Sequence, residues 1–473
     1  MRTPCTPGEP SAPHRRCALP PLPRYPTVDE LGSRAAALVA RHPRHARLRR
    51  VGTSRAGTPL WLLSVGHGDR QALVVAGPHA NEPVGGATVL RLAERALADP
   101  RLTEGADATW NLLLSLDPDG LRRNEGWLTG PYSLGRYFRN FFRPGFLEQP
   151  EWLPDGAAAA VLPETRALLD VQDELRPFLQ CSLHGVDVGG GFVELTHDLP
   201  GLDRRLAHIA ARLGIPRELG AYDALYWPGL GPAVYRIPPP RRADLAAAIT
   251  EAAVESTWFH PYRHGTVTAV VEAPMWGVTA VSDAAPPGDP DAVLRAVSGT
   301  LRHDTGLLRH LLARIRPHLA GARDAARLLA PVDDYLLVCP GLADAWDPDT
   351  GTGAAHPLPS LSTAHLAALR ISGRRLALRT AGLLHQLVRA AGHDPAGALP
   401  ELDRLIDAWC ADYRDGCGAR WIPVARQAEY QARVVLSAFE LAGRLPRAHA
   451  GPGAGEGGVT VRGGGAGAAG TTP

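Results

Sequence analysis

An imidazole and a carboxylate three residues apart on one tight turn can converge on a single cation, and His79-Ala80-Asn81-Glu82 is such a stretch. It follows the short apolar run Leu73-Val74-Val75-Ala76, of the kind that forms a strand buried on both faces, and the break Gly77-Pro78. Beyond it Pro83 suits a first helical turn, and Val84, Leu90, Leu92 and Ala93 continue as an apolar helix. His79 and Glu82 therefore stand at the carboxyl end of a strand, where open α/β sheets place their sites. Further along, Gln180-Cys181-Ser182-Leu183-His184-Gly185 brings a second imidazole to the end of an apolar strand. Two histidines and a glutamate with one open position form a zinc site of the catalytic kind. The run Thr266-Val267-Thr268-Ala269-Val270-Val271-Glu272 ends in a fourth candidate. A strand buried on both faces does not tolerate a charge in its middle, so Glu272 is expected to emerge at the strand's end. Taken singly, each has a plain structural reading: a surface turn, a satisfied core histidine, a salt-bridged carboxylate at the sheet rim. The metal reading rests on the set.

The elements that must position these residues alternate. Leu31, Ala35, Leu38 and Val39 recur at helical spacing behind an N-cap-like Thr27, and strands follow around Arg47–Gly52 and Pro59–Val65. Strand, helix and strand continue through 73–98 and 110–116, with a turn at Asp117-Pro118-Asp119-Gly120. A helix at 163–176, a strand at 178–183, a helix at 202–213 and a strand at 266–272 complete an α/β catalytic domain over 25–285. After Pro286-Pro287-Gly288-Asp289-Pro290 the apolar period is helical: Val293, Leu294, Val297, Leu301, Leu308, Leu311 and Ile315, then Leu366, Leu369, Leu376, Leu383 and Leu387. Residues 290–446 read as an all-helical appendage, structural or partner-binding. Residues 1–24 read as a disordered leader and 447–473 as a disordered Gly- and Ala-rich tail.

Composition narrows the chemistry. A formal charge of +2 over 473 residues argues against a nucleic-acid footprint. Every basic residue is arginine, which excludes lysine Schiff bases, Walker-type phosphate loops and Ser-x-x-Lys nucleophiles. The six cysteines are scattered, without a C-x-x-C pair, and Cys181 sits in an apolar strand where an inert thiol is usual. No G-x-S-x-G elbow offers a serine nucleophile. The Pro- and Arg-rich start lacks a secretion signal's apolar core, and no run of 18 apolar residues exists; a cytoplasmic protein is the expectation.

At this point the sequence resembles the carboxypeptidase A-like zinc carboxypeptidases. The resemblance is carried, in family order over about 25 to 280, by Tyr25–Leu31, Val51–Leu60, His79-Ala80-Asn81-Glu82-Pro83, Asp117-Pro118-Asp119-Gly120, Pro163–Leu168, Ser182-Leu183-His184 and Thr268–Pro274. It implies a three-layer α/β/α sandwich around a twisted, mixed eight-stranded sheet. His79, Glu82 and His184 would hold Zn2+, and Glu272 would be the general base. An arginine two residues before an Asn, downstream of the Pro-Asp-Gly turn, would meet the oxyanion. Arg122 has that spacing to Asn124, with Arg123 beside it as the competitor. For the substrate's terminal carboxylate the nearest match to the family's clamp is Tyr137-Phe138-Arg139-Asn140-Phe141. Arg139 and Asn140 carry over, Phe138 takes the usual Asn place, and the usual supporting Asp is not evident. Arg136 or Arg143 could contribute instead. The family's mobile tyrosine has no counterpart within Ala246–Ala253, which leaves Tyr235 and Tyr262 as nearest substitutes. Glu255-Ser256-Thr257-Trp258 resembles the side-chain pocket, and His260 and His264 read as loop histidines.

The resemblance implies a zinc metallocarboxypeptidase acting on a peptide or peptide-like amide, with a zinc deacylase of N-acyl amino acids on the same fold as the alternative. A non-catalytic scaffold whose helices dock a protein partner or a second copy is the reading of another class.

Overall fold

Thr27 caps the first helix, α1 (Val28–Arg41): its hydroxyl accepts from Glu30 N while Glu30 reaches back to the Thr27 backbone, a complete capping box. In the computed structural model, which describes residues 22–153, 161–238, 256–319, 324–350, 358–392, 394 and 397–445, this helix lies on one face of a mixed sheet. The strands are β1 (Ala46–Thr53), β2 (Pro59–Val65), β3 (Arg70–Ala76), β4 (Ala108–Leu113), β5 (Leu179–Gly189), β6 (Phe192–Leu195), β7 (Gly229–Gly231), β8 (Val234–Arg236), β9 (Val267–Gly277) and β10 (Arg420–Trp421). Their order is β1-β2-β4-β3-β5-β9-β6-β8-β7, with β10 against β9. The sheet thus has ten strands among the described residues, where eight were expected. Three of the strands, β7, β8 and β10, are only two or three residues long and offer no alternation to read.

Period-two burial explains the three layers. Ala72, Val74 and Ala76 of β3 face a large core shared with α1 and with α2 (Val84–Ala98). Leu73 and Val75 face a smaller one closed by Leu168 and Val171 of a helix on the other side, Pro163–Leu175. The central strands β4, β3, β5 and β9 run parallel, so their carboxyl ends open on one edge.

The helical region is not an appendage. Pro290–Ile315, Ala325–Trp346 and Thr363–Ala390 pack together through Leu294, Leu301, Leu342, Trp346, Leu366 and Leu369. The third, called the roof helix below, seats Gly382 against Phe138 O so closely that a Cβ there would clash. The last helix, Val424–Ala442, returns to the sheet: Phe439 stacks on Trp110 of β4 at 4.5 Å, and Gln431 donates to His184 O at 2.6 Å. The expected boundary near 285–290 is therefore corrected, since one core runs through both parts. A helical period reveals an apolar stripe but not the surface that covers it. Residues 1–21 and 446–473, and so nearly all of the expected leader and tail, lie outside the described residues. No helix among the described residues is long and apolar enough to cross a membrane.

One buried carboxyl yields a stability prediction. Glu218 accepts from Gly190 N at 2.6 Å, and burial pushes its pKa from 4.5 up to about 7. The unfolded chain ionises this group above about 4.5 while the folded chain resists until about 7, so stability falls as pH rises across that window. Glu218→Gln keeps an acceptor for Gly190 and removes the ionisation. It is expected to match the parent at pH 4 in urea unfolding and to exceed it at pH 8 by on the order of 3 kcal/mol.

Candidate metal centre

Strand β3 ends at Ala76, and Gly77 at φ 58° supplies a left-handed turn that points the chain into His79-Ala80-Asn81-Glu82 before α2 begins. The turn is fastened on two sides. Asn124 donates to Ala80 O at 3.0 Å, and Asn81 donates to the Tyr137 hydroxyl at 3.1 Å and to Asp187 at 3.3 Å. Strand β5, hydrogen-bonded beside β3, carries His184 to the same place. His79, Glu82 and His184 are all buried, with ligand atoms within 4.8 Å of one another. His79 Nδ1 lies 3.0 Å from both Glu82 oxygens, His184 Nδ1 lies 3.2 Å from His79 Nδ1, and it lies 3.3 Å from Glu82 Oε2.

These separations fit a tetrahedral zinc. Ligand atoms at about 2.0–2.1 Å from such an ion stand about 3.3 Å apart. With Nδ1 of both rings turned inward, the Nε2 atoms turn out. His79 Nε2 meets Glu151, and His184 Nε2 lies 2.9 Å from Ser182 Oγ and 3.4 Å from Glu151 Oε2. The Glu151 carboxylate is fully buried and has no other hydrogen-bond partner among the described residues, so it orients both imidazoles. This is the supporting carboxylate that spacing did not reveal, because it lies downstream of the motifs in Gln149-Pro150-Glu151-Trp152.

Glu272 occupies the middle of β9, in register with His184 of β5, rather than the strand's end. The sheet tolerates it because this stretch faces a cavity lined also by His79, Glu82, Arg143 and Glu194. The expected cost of burying a charge is visible as a titration shift. Burial, then Glu82, Glu194 and Asp223, push the Glu272 carboxyl well above its usual range, against Arg143. Its Oε1 is 3.8 Å from His184 Nδ1.

The other expected site residues are not brought to this cavity. Asp117 caps a helix, Pro118–Leu128, instead of ending a turn. At about 100° per residue, a helix that aims Asn124 inward turns its two predecessors away. Arg122 pairs with Asp29 at 2.5 Å, and Arg123 pairs with Asp324 at 3.0 Å while covering the Phe142 ring. Arg139 is held by Asp403 at 2.7 Å and Asp407 at 3.0 Å on a C-terminal helix, Ala398–Ala411, and the Asn140 amide donates to Arg136 O. Arg143 does reach the cavity, with Nη1 3.4 Å from Glu82 Oε1 and Nε donating to Gln149. Tyr235 is packed, its hydroxyl donating to Glu218 O; Tyr262 stacks on His197; His260 and His264 meet Asp173. Trp258 lines the cavity, while Ala246–Ala253 and Glu255 lie outside the described residues.

What the sequence did not announce is the roof. Arg375 and Arg379 of the roof helix line the same cavity, as do Tyr335 and Leu342 of the helix before it. Arg379 grips Asp187 with two hydrogen bonds of 2.8 and 3.0 Å, and Asp187 also accepts from the Tyr137 hydroxyl at 2.6 Å. The available signal was a pair of arginines four apart among Ala377, Leu378 and Ala381, positions this helix buries.

With this geometry in place, likeness to known proteins can be set beside it. Residues 33–189 match the family described as zinc carboxypeptidase, and His79, Glu82 and His184 all lie within that stretch. Among solved structures, carboxypeptidase A from Helicoverpa armigera is similar at 15% identity, over 53% of this chain and 65% of that one, with a TM-score of 0.36. A metallo-carboxypeptidase from Burkholderia cenocepacia is similar at 15% identity, over 54% and 62%, with a TM-score of 0.34. The match thus spans less than two thirds of either protein. No curated protein matches the sequence.

Proposed function

We propose that the chain hydrolyses an amide bond next to a free carboxylate, as a zinc-dependent carboxypeptidase of short peptides or peptide-like molecules. The observation that carries this reading is the convergence of His79, Glu82 and His184, with Glu272 3.8 Å from His184 Nδ1 and facing a cavity that His79 and Glu82 also line. Bound by the triad, zinc supplies a Lewis acid that polarises a carbonyl and makes water acidic near neutral pH. Glu272 stands where it can take a proton from a water beside the triad and hand it to the leaving nitrogen, and its upward-shifted affinity suits both transfers. Arg143, beside Glu82, is the guanidinium placed to meet the oxyanion, the role the resemblance gave to Arg122. Trp152, Trp227 and Trp258 offer apolar surface to the substrate's side chain, and the roof confines it to a short molecule.

The test joins metal analysis to turnover. Purified protein is expected to hold one zinc per chain and to cleave peptides with a free C-terminus. A chelator should abolish cleavage and added zinc restore it. Turnover of N-acyl amino acids alone would assign the deacylase reading, and protein without stoichiometric metal would remove both.

A further inference from the structure

We infer that Arg375, on the roof helix and outside the family-matched stretch, is the receptor for the substrate's carboxylate. The assignment rests on the cavity being the substrate cleft just proposed. A guanidinium carries five N–H donors, and a buried one is retained at a cost unless they are met. Elsewhere this chain meets them: Arg379, one helical turn on, binds Asp187 through two nitrogens. Arg375 is 7% exposed and is not so matched. Its Nη2 lies 3.5 Å from Asp223 and 3.4 Å from Ser372 Oγ, both long, and its Nε has no partner among the described residues.

The neighbouring wall repeats the pattern independently. Tyr222, Trp152 and Trp258 line the same cavity, and the Tyr222 hydroxyl and both indole nitrogens are also buried without partners among the described residues. A cleft with several unmet donors and one under-paired cation calls for a ligand rich in acceptors and negatively charged, and a carboxylate against a guanidinium fork is the strongest such pairing. Arg143 donates to Gln149 beside the triad, where the oxyanion role falls to it, Arg379 is tied to Asp187, and Arg139 is tied to two aspartates elsewhere, which leaves Arg375 as the cavity's under-used cation among the described residues.

The carboxylate has two possible sources, a C-terminal α-carboxylate or an acidic side chain, and the assay separates them. Peptides with free and amidated C-termini, and amidated peptides ending in Glu or Gln, are compared for the parent and Arg375→Gln. The variant is expected to lose about 100-fold in kcat/KM, chiefly through KM, on whichever carboxylate substrate the parent prefers, and little on its neutral counterpart. A readout without turnover accompanies it. Phenylacetate, not phenylacetamide, should raise the melting temperature of the metal-free parent; Arg375→Gln should abolish that rise and Arg139→Gln keep it. Ligand-free Arg375→Gln should melt no lower than the parent, whereas a structural role would lower it. An unchanged phenylacetate response in Arg375→Gln, or none in the parent, overturns the assignment. Binding that depends on Arg375 in a protein that cleaves nothing would sink the hydrolase reading and leave the receptor standing.

Discussion

Glu272→Gln is expected to lower turnover by about 10³-fold or more while the protein keeps its full complement of zinc, measured by single-turnover cleavage alongside metal analysis. The two side chains have nearly the same volume, and the amide oxygen can still accept a hydrogen bond, so the cavity should keep its shape. What disappears is the capacity to hold a proton between the attacking water and the leaving nitrogen. Zinc should remain because the three ligands converge without help from Glu272, whose carboxylate stands 3.8 Å from His184 Nδ1. Stability should hold or rise, since the substitution removes a buried carboxyl that burial and three neighbouring acids already disfavour as an anion. Turnover within tenfold of the parent would remove Glu272 from the chemistry. Loss of metal would instead make it a ligand and leave the base unassigned.

The contrast between what spacing revealed and what it hid has a physical reason. His79 and Glu82 share a turn, and His184 and Glu272 each lie on a run of β-formers; local pattern reports such positions directly. Strand β2 and the helix Leu202–Leu213 fall where alternation and periodicity put them. The arginines were another matter. A guanidinium reaches several ångströms from its Cα and goes to the nearest carboxylate, and those carboxylates belong to distant parts of the chain: Asp29 for Arg122, Asp324 for Arg123, Asp403 and Asp407 for Arg139. No motif spacing encodes such tertiary partners. Glu151 was hidden for the same reason, since only the fold brings it behind both imidazoles. Glu272 shows a rule applied to the wrong surface: the strand is buried, but at this position it is buried against a cavity. The helices after 290 were legible as helices, yet their apolar stripes said nothing of a roof, which depends on Gly382 and Arg379 meeting Phe138 and Asp187 far earlier in the chain.

If that roof is held as the contacts suggest, Arg379→Met should be the costliest change outside the metal ligands. Arg379 and Asp187 are both buried, and their pairing is completed by Tyr137, Asn81 and the Phe141 ring 5.1 Å below the guanidinium. Removing the cation leaves a carboxylate sealed from water with only neutral donors, which costs about 3–5 kcal/mol. The loss should appear as a lowered urea midpoint and, in protein that remains folded, as a raised KM, because the roof helix that carries Arg375 is anchored to β5 through this pair. Asp187→Asn in the Arg379→Met background should recover part of the stability by removing the stranded charge. It should not recover KM, since the neutral amide gives the helix no ionic anchor. Recovery of both would mean that charge burial alone was at stake and that Arg375 is positioned by packing around Gly382; a single variant within about 1 kcal/mol of the parent would mean that the pair contributes little to either.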